Sequence, residues 1–400
     1  MTTPASRRLT TALVIGALAW AAPSAAAITV LVPAKLAAIA PGEKVELLAA
    51  VTIAGSIAAL IAAIGFGALS DLTRSRFGSR APWMVAGGLL AAASLLLLST
   101  ADTVTLTLIA WVAFQTSMNA LIAPLKALLA DRVESARLGR VSALYGAATL
   151  AGFALGAVGG SQFVTDPDVG LRLGAIVIAV LPIVSVALAR EGSSIELPKH
   201  SRLLRALIPP RGAPDFYWAL GGRFGVMLGS SMITTFQLYI LTDYAALDLD
   251  EAGRIVGAGA VLTLVASILG SLVSGAVSDR LGRRRPLVIA AALLIAAAMV
   301  VPLFAPTGWA MLVFAALAGC GMGVYYAVDV ALMAEVLPDG ASRSRDLGIL
   351  NMSNTGGQAL GPGLSSLVVA LGLGFAPVFV VAIIVTVAGG LSTRFIRSVR

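Results

Sequence analysis

Apolar residues come along this chain in long, nearly unbroken runs, separated by short stretches of arginine, glycine and proline. A membrane-spanning helix needs ~20 such residues. Divided at its charged and Pro/Gly breaks, the chain holds twelve runs of about that length. They cover 10–34, 47–69, 82–100, 104–126, 139–161, 171–189, 215–240, 253–276, 287–305, 309–334, 347–370 and 374–394. The expected fold class is an all-α membrane protein of twelve transmembrane helices.

The polar stretches carry the second pattern. With the N-terminus placed in the cytoplasm, 22 of the 28 Lys and Arg residues fall on the cytoplasmic side. Only Lys35, Lys44, Arg172 and Arg254 fall outside, while Lys126 and Arg223 lie within spans. Positive charge marks cytoplasmic loops, so both termini are expected there, and an even helix count with them. Arg7 and Arg8 followed by an apolar run resemble a secretory signal. The run continues past Ile28 to Val32, longer than the ~7–15 residues of a signal core, and is read as a retained first span.

Composition supports this and closes other classes. Of the 400 residues, 58% are apolar and 12% charged. Mean hydropathy is +0.94. A soluble domain carries about 25% charged residues, so a soluble enzyme and a disordered chain are both excluded. One cysteine, Cys320, and one histidine, His200, rule out an intramolecular disulfide and a His/Cys zinc cluster. His200 reads as a solvated residue of the longest polar segment, 191–214. That segment divides the chain into halves of six spans, 1–190 and 215–400. Arginine outnumbers lysine 24 to 4, which with the abundant alanine suggests a bacterial source.

The halves repeat at an offset near 208. Gly67-Ala-Leu-Ser-Asp71, followed by Arg76, Gly78 and Arg80, matches Gly275-Ala-Val-Ser-Asp279, followed by Arg280, Gly282, Arg283, Arg284 and Arg285. Leu138-Gly139-Arg-Val-Ser matches Leu347-Gly348-Ile-Leu-Asn at the openings of the fifth and eleventh spans. Parallel six-helix repeats are one architecture of secondary transporters, with the substrate site near the midplane.

GAVSDRLGRRR (275–285) closely resembles the signature loop of the major facilitator superfamily. GALSDLTRSRFGSRAPW (67–83) is similar to the longer variant found in its glycoside–cation symporters. ALLADRVESARLGRVSALYG (127–146) and AEVLPDGASRSRDLGILNMSN (334–354) resemble loops of bacterial members. The resemblance covers essentially the whole chain. It implies two pseudo-symmetric halves that rock about a central site lined by spans 1, 4, 7 and 10. Asp71 and Asp279 end helices whose dipoles disfavour a carboxylate there, so something compensates. Nearby arginines are one option. The resemblance implies the other, a latch to a helix N-terminus of the opposite half.

Charges inside spans are costly and mark functional candidates. Arg223 and Asp329 stand at similar depth in spans 7 and 10 and are placed to pair. Lys126, at the end of span 4, reads as reaching back to the interface. Gln115, Asn119, Gln237, Asn351 and Asn354, with Tyr325 and Tyr326, are the polar candidates for a solute pathway. They could hold a polyhydroxylated solute or a drug-like amine. Gly146, Gly152, Gly156, Gly159 and Gly160 read as a close-packing face in span 5. Gly361-Pro362-Gly363 predicts a bend in span 11. The superfamily's antiporter signature wants Gly-Pro in span 5, where Ala157 stands.

The expected activity is solute transport by alternating access, not catalysis. No HExxH, GxSxG or nucleotide-binding glycine loop is present. A sugar-like solute is favoured, with compound efflux as the alternative and a non-transporting sensor as a remote one. Span 2 has no mid-membrane acid for sodium, so proton coupling would rest on Asp329 or Glu46. The expected partners are a small solute, protons where transport is coupled, and membrane lipids. No nucleic acid, metal or cofactor is expected, and the chain is expected to act as a monomer in a bacterial cytoplasmic membrane.

Overall fold

The computed structural model describes residues 4–192, 213–281, 284–336 and 343–396. Among them eleven helices are long and apolar enough to cross a membrane. Two more segments, Pro214–Thr234 and Gln237–Tyr244, meet at a 46° bend and make a twelfth span when taken together. The chain is therefore an all-helical, multi-pass membrane protein. Helices suit that medium because they satisfy every backbone group internally.

Helix α1 runs Pro4–Ala26, passes through a π turn at Ala27–Leu31 and continues over Val32–Ile39. It is longer at both ends than its apolar run. Then come α2 (Lys44–Leu72), α3 (Ala81–Ser99), α4 (Val104–Arg132), α5 (Ser135–Ser161) and α6 (Pro167–Ala189). Two of them begin on side-chain caps: Thr103 accepts from the amide of Leu106, and Asp166 from that of Val169. The second series is α7 (Pro214–Thr234), α8 (Leu249–Leu281), α9 (Arg285–Phe304), α10 (Gly308–Val336), α11 (Arg343–Val368) and α12 (Ala376–Ser392).

Contacts divide the chain into two compact units. One holds Met1–Leu47 and Ala54–Leu203, the other Leu48–Ile53 and Leu204–Arg400. Most of the expected connection 191–214, His200 included, lies outside the described residues. In the first unit α1 packs on α5 and α6, and α3 on α4 and α6. In the second, α7 packs on α11 and α12, and α9 on α10 and α12. The same neighbours recur six helices later, which is the sequence repeat in three dimensions.

Small residues form the seams. Gly152, Gly156 and Gly160, four apart on α5, lie against Ala21, Ala22 and Ala26 of α1. A Cβ on Gly156 would fall on the Ala22 carbonyl. Gly146 and Gly159 face open space and take no part in this seam. On α3, a Cβ at Gly87 would come 2.7 Å from the Leu121 amide nitrogen of α4. In the second unit Gly222, Gly225 and Gly229 of α7 meet Gly389 and Thr386 of α12, and Gly357 and Gly361 of α11 meet the other side of α7. Where no hydrophobic drive joins helices in lipid, such approach supplies van der Waals contact instead.

One expectation is corrected. Lys35 is no loop cation: it is buried, pairs with Asp168 at 2.5 Å and donates to the Ser99 carbonyl at 3.3 Å. It thereby ties the ends of α1, α3 and α6. Helix α11 continues through Pro362 to Val368, and the irregularity follows in a π turn at Val369–Leu373 with Gly372 at φ +76°. A spanning helix tolerates the one bond a proline removes when its surroundings re-satisfy it. Gly67 lies away from the end of its helix, inside α2, and a Cβ there would meet nothing within 4 Å.

The α1–α5 seam sets a stability test. Gly156→Val should destabilise the protein by about 1–3 kcal/mol through overpacking, read as a lowered unfolding midpoint in detergent. Gly159→Ala should leave that midpoint unchanged.

Candidate functional site

The arginine-rich end of the first unit holds a polar network built on one buried cation. Asp71 lies in the last turn of α2 and Asp131 in the last turn of α4. Both carboxylates face the negative end of their own helix dipole. Arg80, the N-cap residue of α3, is 8% exposed and serves both. Its guanidinium pairs with Asp71, bonds Asp131 Oδ2 at 2.8 Å and donates to Ser70 Oγ at 2.7 Å. Burial alone would lower the arginine pKa, but the bonds to Asp131 and Asp71 outweigh it and hold the pKa above its ordinary value. Of the two compensations open to Asp71, the structure supplies the nearby arginine.

A second carboxylate completes the loop. Arg190 caps α6 in the left-handed region, φ 45° and ψ 63°, and turns the chain so that Glu191 reaches the start of α3. Glu191 accepts from the amides of Ser79, Arg80 and Ala81 at 3.1, 2.9 and 2.9 Å, and from the Ser79 hydroxyl at 3.2 Å. Arg80 offers the helix no side-chain cap, so Glu191 satisfies amides that would otherwise be orphaned. Gly78 makes this possible in two ways. Its φ of +97° suits glycine alone, and a Cβ there would fall on the Glu191 carboxylate. Arg76 is exposed and lies over the Phe77 ring at 4.7 Å.

At the equivalent place in the second unit, α8 ends at Leu281 and α9 begins at Arg285. Gly275, Asp279 and Arg280 lie on α8, their side chains outside the described set, and Gly282 and Arg283 lie wholly outside it. Arg284 immediately precedes α9 as Arg80 precedes α3.

Deep in the second unit lies an ion pair. Arg223 of α7 and Asp329 of α10 meet at 2.9 Å, with side chains 6% and 5% exposed. Burying either charge alone would cost several kcal/mol, so they are held as a pair. Tyr325 sits one turn before Asp329 and is 1% exposed. The Tyr326 hydroxyl is 3.5 Å from Met227 Sδ, one turn beyond Arg223 on α7. The pair is thus enclosed by aromatic and sulfur surface.

The amide candidates separate. Gln115 and Asn119 share a face of α4, and the Asn119 side chain donates to the Gln115 carbonyl at 2.9 Å. Gln115 Cγ and the Trp111 indole cross α2 at Gly55, where a Cβ would strike Trp111 Nε1. Asn354, on α11, has its Oδ1 buried with no hydrogen-bond partner among the described residues. Asn351 lies on the same helix, its side chain outside the described set. Lys126 is exposed.

Gln237 opens the segment beyond the bend in α7. At that bend the Phe236 amide bonds the Ile233 carbonyl at 3.2 Å, one residue short of the α-helical partner. The released Met232 carbonyl accepts instead from Ser365 Oγ of α11 at 3.0 Å, a fully buried hydroxyl. No proline or glycine marks the bend, and sequence reasoning did not find it. It also missed Glu191 as a partner for the loop.

A stability prediction follows from the Glu191 cradle. Glu191→Ala should cost about 0.5–2 kcal/mol, the loss of a helix cap. Thermal unfolding of the purified protein measures it, and an unchanged midpoint would contradict the assigned role.

Residues 219–399 match the sequence profile of the Major Facilitator Superfamily. No curated protein sequence matches the chain. Among solved structures, the crystal structure of a point mutant of the nucleoside transporter NupG superposes with a TM-score of 0.76 at 17% identity, covering 97% of this chain and 99% of that one. A bacterial homologue of the human lysosomal transporter Spinster, inward-facing and unoccupied, gives 0.68 at 12% identity, covering 99% and 95%. At such identities the likeness is one of fold.

Proposed function

We propose that the chain is a major facilitator, as its fold and the profile match of its residues 219–399 support, and that it is a proton-coupled secondary transporter of a hydroxylated, sugar-like solute. It works by alternating access between halves 1–190 and 215–400 joined by 191–214, in a bacterial cytoplasmic membrane with both termini inside. The observation that carries the reading is the buried Arg223–Asp329 pair. An ionised pair in the membrane interior is expensive, and its default reading is functional.

Protonation of Asp329 removes the negative charge that faces Arg223. A solute oxygen then takes the carboxylate's place on the guanidinium, and its departure favours deprotonation and re-pairing. Tyr325 adjoins the carboxylate on the same helix, and Gln237 and Asn354 offer amide groups in the same half. Gln115, Asn119 and Asn351 belong to the same proposed pathway. Amides and tyrosine hydroxyls suit a solute rich in hydroxyl groups. Nucleosides, named for one structural neighbour, carry such a sugar.

The signature loops act as the gate in this reading. Gly67, Asp71, Arg76, Gly78 and Arg80 of one half, and Gly275, Asp279, Arg280, Gly282, Arg283 and Arg284 of the other, hold the cytoplasmic side together when the outer side is open. The monomer suffices for the cycle, and the surrounding lipid is its solvent.

The test uses the full chain in proteoliposomes with an imposed pH gradient and a panel of sugars, nucleosides and cationic drug-like compounds. Asp329→Asn should lose at least 90% of gradient-driven accumulation while solute exchange without a gradient persists. Transport in Asp329→Asn that still follows the pH gradient would refute the assignment of the proton site. A response confined to the cationic compounds would turn the reading to efflux.

A further inference from the structure

At the arginine-rich end of the first unit, beside the loop network but not part of it, lies a cavity of about 430 Å³. That is the size of a small-ligand pocket, which spans roughly 300–1,000 Å³. Four arginines line it: Arg8 of α1, Arg132 at the end of α4, Arg137 in the first turns of α5 and Arg190 just beyond α6. The only acid in the lining is Glu134, whose Oε2 stands 3.8 Å from Arg137 Nε. The lining is therefore strongly cationic.

Four separate helices thus bring guanidinium groups to one concavity. The C-terminal ends of α4 and α6 are unfavourable for an anion, but each carries an arginine that reverses the sign there. The start of α5 adds its positive end, since its N-cap residue Glu134 makes no side-chain cap bond. Arg190 is also held in place. Its left-handed backbone stands between the end of α6 and the Glu191 carboxylate, which is fixed on the α3 amides. Leu9, Val141 and Leu188 add an apolar part to the lining. Guanidinium groups match phosphate oxygens in pairs, and these three residues suit the apolar part of a larger molecule.

We propose that this cavity binds an anionic phosphate group. The chemistry is shared by an acidic phospholipid headgroup of the adjoining leaflet and by a free phosphate compound. Bound there, the group joins the ends of α1, α4, α5 and α6, and so stabilises the folded first half.

The experiment is thermal unfolding of the full detergent-solubilised protein, titrated with dioctanoyl phosphatidic acid, dioctanoyl phosphatidylcholine or inorganic phosphate. A ligand of the folded state raises the midpoint with its occupancy. Phosphatidic acid should raise it and phosphatidylcholine should not. In Arg132→Gln/Arg190→Gln the apparent affinity should fall at least tenfold. Arg132→Lys/Arg190→Lys, which keeps the charge but loses the paired donors, should lower it by less than the Gln variant, and Arg254→Gln, on an exposed residue of α8, should not change it. Should the double Gln variant fail to fold, Arg132→Gln alone is read, with a threefold loss expected. A matching response to inorganic phosphate identifies a free phosphate compound as the source, and a response to phosphatidic acid alone identifies the lipid. No shift with either probe, or equal affinity in the Gln variant, overturns the proposal.

Discussion

Helices in hydrocarbon gain little by burying apolar side chains against each other, because lipid tails are as apolar as leucine. Everything that holds this bundle together follows from that constraint. Contact must come from backbones brought close, which is why glycine and alanine occupy the α1–α5, α3–α4, α7–α11 and α7–α12 seams. Side chains such as Ile61 and Leu155, which a soluble protein would bury, are left exposed for lipid. Small residues therefore make the closest seams, while large side chains such as Trp111, Phe114 and Phe216 fill the interior between them.

The same medium dictates where charge can go. Lys35 joins Asp168 and a helix-end carbonyl, Arg80 joins two carboxylates, and Arg223 joins Asp329. The first two sit at the ends of the first unit and complete helix termini. The third sits in mid-helix, where no terminus needs it. A cation that compensates two helix dipoles has a structural reason to exist, whereas Arg223 and Asp329 stand where no helix end calls for a charge. This contrast is what makes the deeper pair the functional candidate.

How much of this could be read from the sequence depended on range. Spans were legible because a run of ~20 apolar residues is a local signal. The repeat was legible because Asp71 and Asp279 sit in matching strings. The Arg223–Asp329 pairing was legible because two charges in otherwise apolar runs leave each other as the obvious partner. Glu191 was not, since its partners lie more than a hundred residues away and a lone acid after a helix looks like a solvated one. Gly78 was visible as part of a motif, but its reason, room for that carboxylate, depends on the same distant contact. Pro362 is a strong local signal, and α11 remains helical through it to Val368. Of the span-5 glycines, three at four-residue spacing pack and two do not, and only the partner helix distinguishes them.

The bend in α7 shows what an unmarked break can do. The Phe236 amide has shifted its bond from Met232 to Ile233, and the Ser365 hydroxyl has taken the vacated carbonyl. Straightening the helix would return the amide to Met232 and free the serine, so one hydrogen bond replaces another. The exchange is not even, because Ser365 is fully buried and would be left without that acceptor, at a cost of about 1–3 kcal/mol. One hydroxyl of α11 therefore clamps the direction that the chain takes beyond Phe236.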